Sequence, residues 1–304
     1  MILSLAVLVK SSDEFTKAAE KIGLHLKLSP FIVGVTIVAI GTSLPELISS
    51  IIAVIQNNSE IVAGNVVGSN ITNVLLILGL SAIFAKKIKI KETFLRIDLM
   101  VFITSATMLI LIMLNGVITL AESIILVICF VLYIMYIIKS KTPTGSLISP
   151  DIKNGRLKLT IYLSLAISII FLFISAKSTI DSIVQISNLL GIGKEIIAIT
   201  IVAFGTSLPE LAVSVSAARR GQPEIAVGNI LGSNIFNIFF VTGVAGLFGT
   251  LIVTSQIALI GSIFLILSTF LYFFAVKDRA ISKWEGFFLV LLYILFLIQI
   301  VGWA

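Results

Sequence analysis

Apolar runs of roughly 20 residues, the length an α-helix needs to cross the hydrocarbon core of a bilayer, follow one another along the chain, parted by short polar segments. In order they predict spans over Met1 to about Ile22, Ser29–Ile55, Glu60–Phe84, Thr93–Leu114, Val117–Ile138, Leu159–Leu189, Lys194–Ala218, Glu224–Phe248, Thr254–Val276 and Ile281–Val301. The first is weak, apolar from Ile2 to Val9 and then carrying Lys10, Asp13, Glu14 and Lys17. It has neither the basic start nor the small-residue cleavage site of a signal peptide. Asn115 and Gly116 predict a tight turn, Lys86, Lys87, Lys89 and Lys91 a basic loop, and His25 falls in a polar loop. Lys139–Lys158 is the longest polar stretch, with Pro143, Gly145, Pro150, Asn154 and Gly155, and reads as a linker. The expected fold is an all-α polytopic membrane protein of ten transmembrane helices, divided into residues 1–138, a cytoplasmic linker 139–158, and residues 159–304.

The same polar sequence interrupts this pattern twice. Thr36–Gly79, beginning TIVAIGTSLPEL, recurs as Thr200–Gly243, beginning TIVAFGTSLPEL, at a constant offset of 164. The copies share 23 of 44 aligned residues, so the chain is internally duplicated. Five spans per half is an odd number, and the second copy must therefore enter the membrane in the opposite sense. Inverted repeats of this kind bring discontinuous helices together near the midplane. The loops after alternate spans hold Lys27, the Lys86–Lys91 cluster, the Lys139–Lys158 group, Arg219 with Arg220, and Lys277, Arg279 and Lys283, whereas the opposite loops hold almost only Lys194. The positive-inside rule makes the basic face cytoplasmic and puts both termini outside.

Composition agrees with this reading, because 58% hydrophobic residues, 12% charged residues and a mean hydropathy of +1.18 cannot coat a water-soluble globule. The net charge of +6 then records cytoplasmic Lys and Arg in a protein of the lipid bilayer, not a nucleic-acid partner. Cys129, the only cysteine, lies in an apolar run and is assigned to helix packing. No G-x-x-x-x-G-K-[ST] phosphate loop is present, so no nucleotide is implied.

The chemistry lies in the interruptions. Pro45 has no N–H to give the carbonyl of Gly41, and its ring disfavours a helical Leu44, so the helix should break there. Carbonyls near Ala39–Gly41 are expected to turn into the gap beside the hydroxyls of Thr42 and Ser43. Glu46 follows in the first turn of the second half-helix, where a carboxylate is favoured. Ala203–Gly205, Thr206, Ser207, Pro209 and Glu210 repeat the arrangement. The spans that follow carry GNVVGSNITN and GNILGSNIFN, in which Ser69 and Asn73, and Ser233 and Asn237, are four apart and share a helix face. A packing kink needs no midplane carboxylate, and ionisable residues at that depth mark function. Two carboxylates among carbonyls and hydroxyls form an all-oxygen site suited to hard cations such as Na⁺ or Ca²⁺. Gly64 with Gly68 and Gly228 with Gly232 are small-xxx-small pairs that read as close helix packing. Asp13, Glu14, Asp98, Glu122, Lys177 and Asp181 are assigned to membrane interfaces.

Paired GTSLPE segments, each followed by G-N-x-x-G-S-N-x-x-N, resemble the two alpha repeats of the Na⁺/Ca²⁺ exchangers in the cation/Ca²⁺ exchanger superfamily, in their prokaryotic ten-helix form. The resemblance implies an antiporter and not an enzyme, with four clustered cation sites and with first and sixth helices that slide against the rest. It makes Glu46 and Glu210 shared ligands of Ca²⁺ and Na⁺, with backbone oxygens of Thr42 and Thr206 beside them. Ala39 and Ala203 would lend carbonyls to Na⁺, Ser43, Ser207, Ser69 and Ser233 side-chain oxygens, and Asn73 and Asn237 would complete the centre. Asn237 resembles the K⁺-independent branch, and GNVVGSN and GNILGSN lack the acidic residue usual in the Ca²⁺/H⁺ branch. Electrogenic exchange by a monomer in the cell's inner membrane is expected. The rival readings are a Ca²⁺/H⁺ antiporter of the same fold and a cation channel built from paired half-helices. A membrane-embedded hydrolase is a third, for which the segments offer no second base, nucleophile dyad or metal-binding His.

Overall fold

The long apolar runs form helices because, in lipid, a backbone can satisfy its own polar groups only within a helix or a closed barrel. The computed structural model describes residues 2–85, 87–89, 95–139, 158–189 and 205–302. Most of the linker, Lys86, Lys91, Lys194 and Ala203 lie outside the described residues. In chain order the elements are α1 (Ile2–His25), α2 (residues 30–42), α3 (Leu44–Ile55), α4 (residues 60–85), β1 (Lys87–Lys89), α5 (Leu95–Met113), β2 (Val117–Ile118), α6 (Leu120–Lys139) and α7 (Leu159–Leu189). They continue with α8 (Leu208–Arg219), α9 (residues 223–247), β3 (Leu251–Ile252), α10 (residues 257–277), β4 (Ala280–Ser282) and α11 (Lys283–Gly302).

Among the described residues seven stretches are long and apolar enough to cross a membrane, and Ile97–Met113 is a shorter apolar helix. The stretches Glu60–Ala85 and Pro223–Leu247 are 83% buried, against 22% for Leu159–Ser178 and Lys283–Ile300. Helices α4 and α9 therefore form the centre, and α7 and α11 turn side chains such as Ile174, Phe288 and Leu291 outward. Pairing between α2 and α9 is close because glycine permits it. A Cβ on Gly232 would stand 2.4 Å from the carbonyl oxygen of Val35, and one on Gly34 2.4 Å from that of Ile225. Gly228 packs there too, whereas the residues that the 164 offset would set against Gly64 and Gly68, 195–203, lie outside the described residues.

Two short ribbons that the hydropathy pattern did not predict record the duplication most directly. In one, Lys87 pairs with Ser282 and Ile88 with Ile281. In the other, Leu251 pairs with Ile118 and Ile252 with Val117. Adding 164 to 87 gives 251, and subtracting 164 from 282 gives 118, so the repeat's offset carries the register of one ribbon onto the other. Helix α5 runs from the first ribbon to the second and α10 runs back, which places the ribbons at opposite ends of the bundle, as inverted repeats require. The basic segment read as a loop is thus partly a strand, and the fifth and tenth spans begin later than the hydropathy pattern places them, at Leu120 and Lys283. Both start with a capping box. The N–H of Thr119 donates to Glu122 at 2.8 Å and that of Ser282 to Glu285 at 2.6 Å.

Three polar residues sit differently from their expected places. His25 is the last residue of α1 and not part of a loop. Asp98 belongs to the protein interior, 5% exposed, where the Tyr133 hydroxyl donates to its carboxylate at 3.1 Å. Asp13, on α1, accepts a hydrogen bond from the Ser216 hydroxyl of α8, and Gln222 donates to Glu20 at 2.8 Å. These bonds explain the polarity of α1. It lies against α7 and α8 and turns part of its polar face to protein instead of lipid.

Candidate cation site

Each GTSLPE sequence folds as the missing proline N–H requires. Ser43 leaves the helical conformation at φ −90° and ψ 9°, and Ser207 does so at φ −87° and ψ 6°, so the two breaks share one backbone geometry. Pro45 and Pro209 then occupy the second position of α3 and α8, where no N–H is needed, and Glu46 and Glu210 stand in the first turn. The Ala39 carbonyl is not wholly free. It accepts the Ser43 N–H at 3.1 Å and lies 3.4 Å from the Thr42 hydroxyl, whose single proton is shared with Asn229 Oδ1 at 3.3 Å, so it reaches a cation only as a shared acceptor.

The breaks meet across the pseudo-two-fold. Ser43, from the first, donates to Oε1 of Glu210, in the second, at 2.9 Å. Thr206 comes within 3.4 Å of Ser69 on α4. Asn73 and Asn237 each lie where α4 and α9 widen into a π-helical turn, at Asn73–Leu78 and Phe236–Val241. Such turns are frequent at functional sites. Asn73 Nδ2 donates to Asn234 Oδ1 at 2.9 Å, and Ser233 donates to Asn229 Oδ1 at 3.4 Å. Of the expected site residues, all but Ala203 are thus placed in two facing breaks and the two central helices between them.

Glu46 and Glu210 are each 1% exposed. Lys17–Glu14 forms an ion pair at 2.6 Å, and among the described residues no cationic side chain is paired with Glu46 or Glu210. Buried polar atoms almost always have hydrogen-bond partners. Here the exceptions collect in one place. The unpartnered buried atoms include both oxygens of Glu46, Oε2 of Glu210, Oγ of Ser207, Oδ1 of Asn70 and Asn73, and both amide atoms of Asn237. Only Ser81 and Ser262 join them from elsewhere among the described residues. Burying a charge without a partner is costly, and a buried cluster of oxygens carrying two carboxylates is suited to receive a cation.

Sequence reasoning passed over Asn65, Asn229, Ser50, Ser214, Asn70 and Asn234. All are buried around this cluster. The signal was present, since the three pairs are related by the same offset of 164 inside the duplicated segment.

A profile of the family described as sodium/calcium exchanger protein matches residues 1–139 and 160–302. Sodium/calcium exchanger MaX1 of Methanosarcina acetivorans is 35% identical, the match covering 98% of this chain and 96% of that protein. Inner membrane protein YrbG of Escherichia coli is 33% identical over 81% of this chain and 78% of its own. The solved structure of the sodium-calcium exchanger NCX_Mj soaked with 10 mM Na⁺ and zero Ca²⁺ matches with a TM-score of 0.84 at 32% identity, covering 97% of this chain and 95% of that one.

Proposed function

We propose that this chain, which belongs to the sodium/calcium exchanger protein family, is a secondary active antiporter that extrudes Ca²⁺ from the cell against an inward flow of Na⁺. The observation that carries the reading is the collection of unpartnered oxygens on Glu46, Glu210, Ser207, Asn73 and Asn237 where the broken helices meet. Ca²⁺ takes six to eight oxygen ligands and favours carboxylates. Glu46 and Glu210 supply two negative charges, and Asn73, Asn237 and Ser207, with Ser43, Ser69 and Ser233 and the backbone oxygens of Thr42, Thr206, Ala39 and Ala203, supply neutral ligands. Na⁺ uses the same carboxylates. Since both ions need Glu46 and Glu210, neither binds fully while the other is present, and this competition couples their movements.

One Ca²⁺ cancels the two carboxylates, whereas three Na⁺ leave one positive charge, so the proposed cycle moves net charge inward. The matched ribbons and the loop charges support ten spans with both termini outside the inner membrane. Helices α1 and α7, which pack along each other, are suited to slide together across the α4–α9 centre and expose the site to either side. The working unit is a monomer, because both breaks come from one chain.

Isotopic Ca²⁺ uptake into proteoliposomes, with Na⁺ and H⁺ gradients imposed in turn, tests the proposal. Uptake driven by the Na⁺ gradient alone is expected. Uptake driven only by the H⁺ gradient would replace it with cation/proton antiport, and uptake that follows the Ca²⁺ gradient whatever the counter-ion would indicate a channel.

A further inference from the structure

We propose that Asn65 and Asn229 are positioning residues, each a clamp that sets one half's broken helix against the other half. Asn65, on α4, donates from Nδ2 to the Ser50 hydroxyl of α3 at 3.3 Å, and its Oδ1 accepts the Thr206 hydroxyl at 3.3 Å. Asn229, on α9, donates to the Ser214 hydroxyl of α8 at 2.8 Å, and its Oδ1 accepts the Thr42 hydroxyl at 3.3 Å. Every member maps onto its counterpart by 164: 65 to 229, 50 to 214, 42 to 206. The same two bonds therefore occur twice, formed by different atoms in different surroundings.

Each amide ties the helix after its own half's break to the break of the opposite half. Neither side chain needs to touch an ion. A clamp of this kind fixes the distance between the Thr206 backbone and α3, and between the Thr42 backbone and α8, and so holds the candidate ligand oxygens of both breaks in one geometry. The position calls for a planar group with a donor and an acceptor side by side, buried to 4% exposure at Asn65 and 0% at Asn229. Asp would lack the donor and add a third negative charge, and Leu has nearly the same shape but offers neither bond.

This inference deepens the exchange reading and rests on it, so its test separates the two. Asn65→Leu, Asn229→Leu, Thr206→Val, Thr206→Ser and the double variant Asn65→Leu/Thr206→Val are compared with the wild type in proteoliposomes. Losing the clamp is expected to raise the half-saturating concentrations of both Ca²⁺ and Na⁺ about tenfold, the worth of one buried hydrogen bond. Maximal rate in Asn65→Leu and Asn229→Leu should stay within about twofold, the pattern of lost binding without lost turnover. Thr206→Ser, which keeps the hydroxyl, should recover most of the affinity that Thr206→Val loses, and the double variant should be no worse than the worse single variant, because both changes remove the shared Thr206–Asn65 bond. Wild-type half-saturation in Thr206→Val, or Thr206→Ser as impaired as Thr206→Val, overturns the assignment. So does a loss confined to folded yield. If Asn65→Leu does not fold, the two Thr206 variants decide. Failure of the wild type to exchange would sink the exchange reading, and Ca²⁺ titration calorimetry on the same purified variants would still judge the clamp.

Discussion

The two halves of this protein agree in their scaffold and differ in the contacts of the candidate ligand atoms. The asparagine clamps, the backbone of the two serine breaks and the registers of the two ribbons repeat under the 164 offset. The contacts of the candidate ligands do not. Ser43 bonds to Glu210 at 2.9 Å, while its counterpart Ser207 leaves Oγ unpartnered and Glu46 has neither oxygen bonded. Asn73 is oriented by Asn234, but the side-chain amide of Asn237 has no partner, and Asn70 donates to the Val66 carbonyl instead. Inverted repeats teach why. An inverted-repeat carrier that alternates must hold its two halves in different conformations at any moment, and such alternation predicts symmetry in the scaffold and asymmetry among the candidate ligands.

The largest expected effect removes what the halves share. Glu46→Gln and Glu210→Gln should each lower Na⁺-driven Ca²⁺ uptake by about thirtyfold to several thousandfold, since truncating one partner of a buried charge interaction costs roughly 2–5 kcal/mol. Size-exclusion profiles should match wild type. Near-wild-type flux in either purified variant would refute the two-carboxylate site.

Next in size is the response to voltage. In the proposed cycle of three Na⁺ per Ca²⁺, one charge moves per turnover. At about 2.3 kcal/mol per 100 mV this steepens the attainable Ca²⁺ gradient by roughly fiftyfold. An inside-negative K⁺ diffusion potential should accelerate Ca²⁺ extrusion from oriented vesicles. A final gradient that ignores the potential would replace the cycle with an electroneutral exchange of two Na⁺.

The serines probe the asymmetry itself. Ser43→Ala removes a hydrogen bond to a carboxylate, worth about 1.5–3 kcal/mol, and should weaken ion binding by about tenfold or more. Ser207→Ala removes no bond, since Ser207 Oγ has no partner, and should do less. Equal losses in both variants from both sides would mean that the difference between the halves has no functional weight. The smallest effect is expected away from the site, at Tyr133→Phe, which leaves the Asp98 carboxylate without its donor. It should cost about 1–3 kcal/mol of stability in thermal unfolding and leave half-saturating ion concentrations unchanged.

What was legible in the sequence is what covalent structure and the bilayer impose locally. Span lengths follow from membrane thickness. The breaks at Ser43 and Ser207 follow from Pro45 and Pro209, each lacking one N–H, and the duplication follows from a constant offset. Burial of Glu46 and Glu210 followed as well, because each lies inside a stretch that the membrane must enclose. Partnerships across space were settled only by the fold. Nothing in the chain's order brings Thr206 to Asn65, Ser43 to Glu210, or Ser216 to Asp13. A helix apolar on nearly every side carries little periodicity to say which face meets protein and which meets lipid. Strands of two or three residues have no pattern of their own and exist because an antiparallel partner 133 or more positions away presents its backbone, as Val117 and Ile118 meet Ile252 and Leu251. Local chemistry determined where the chain must break and what it must bury, and only tertiary packing determined which broken end faces which carboxylate.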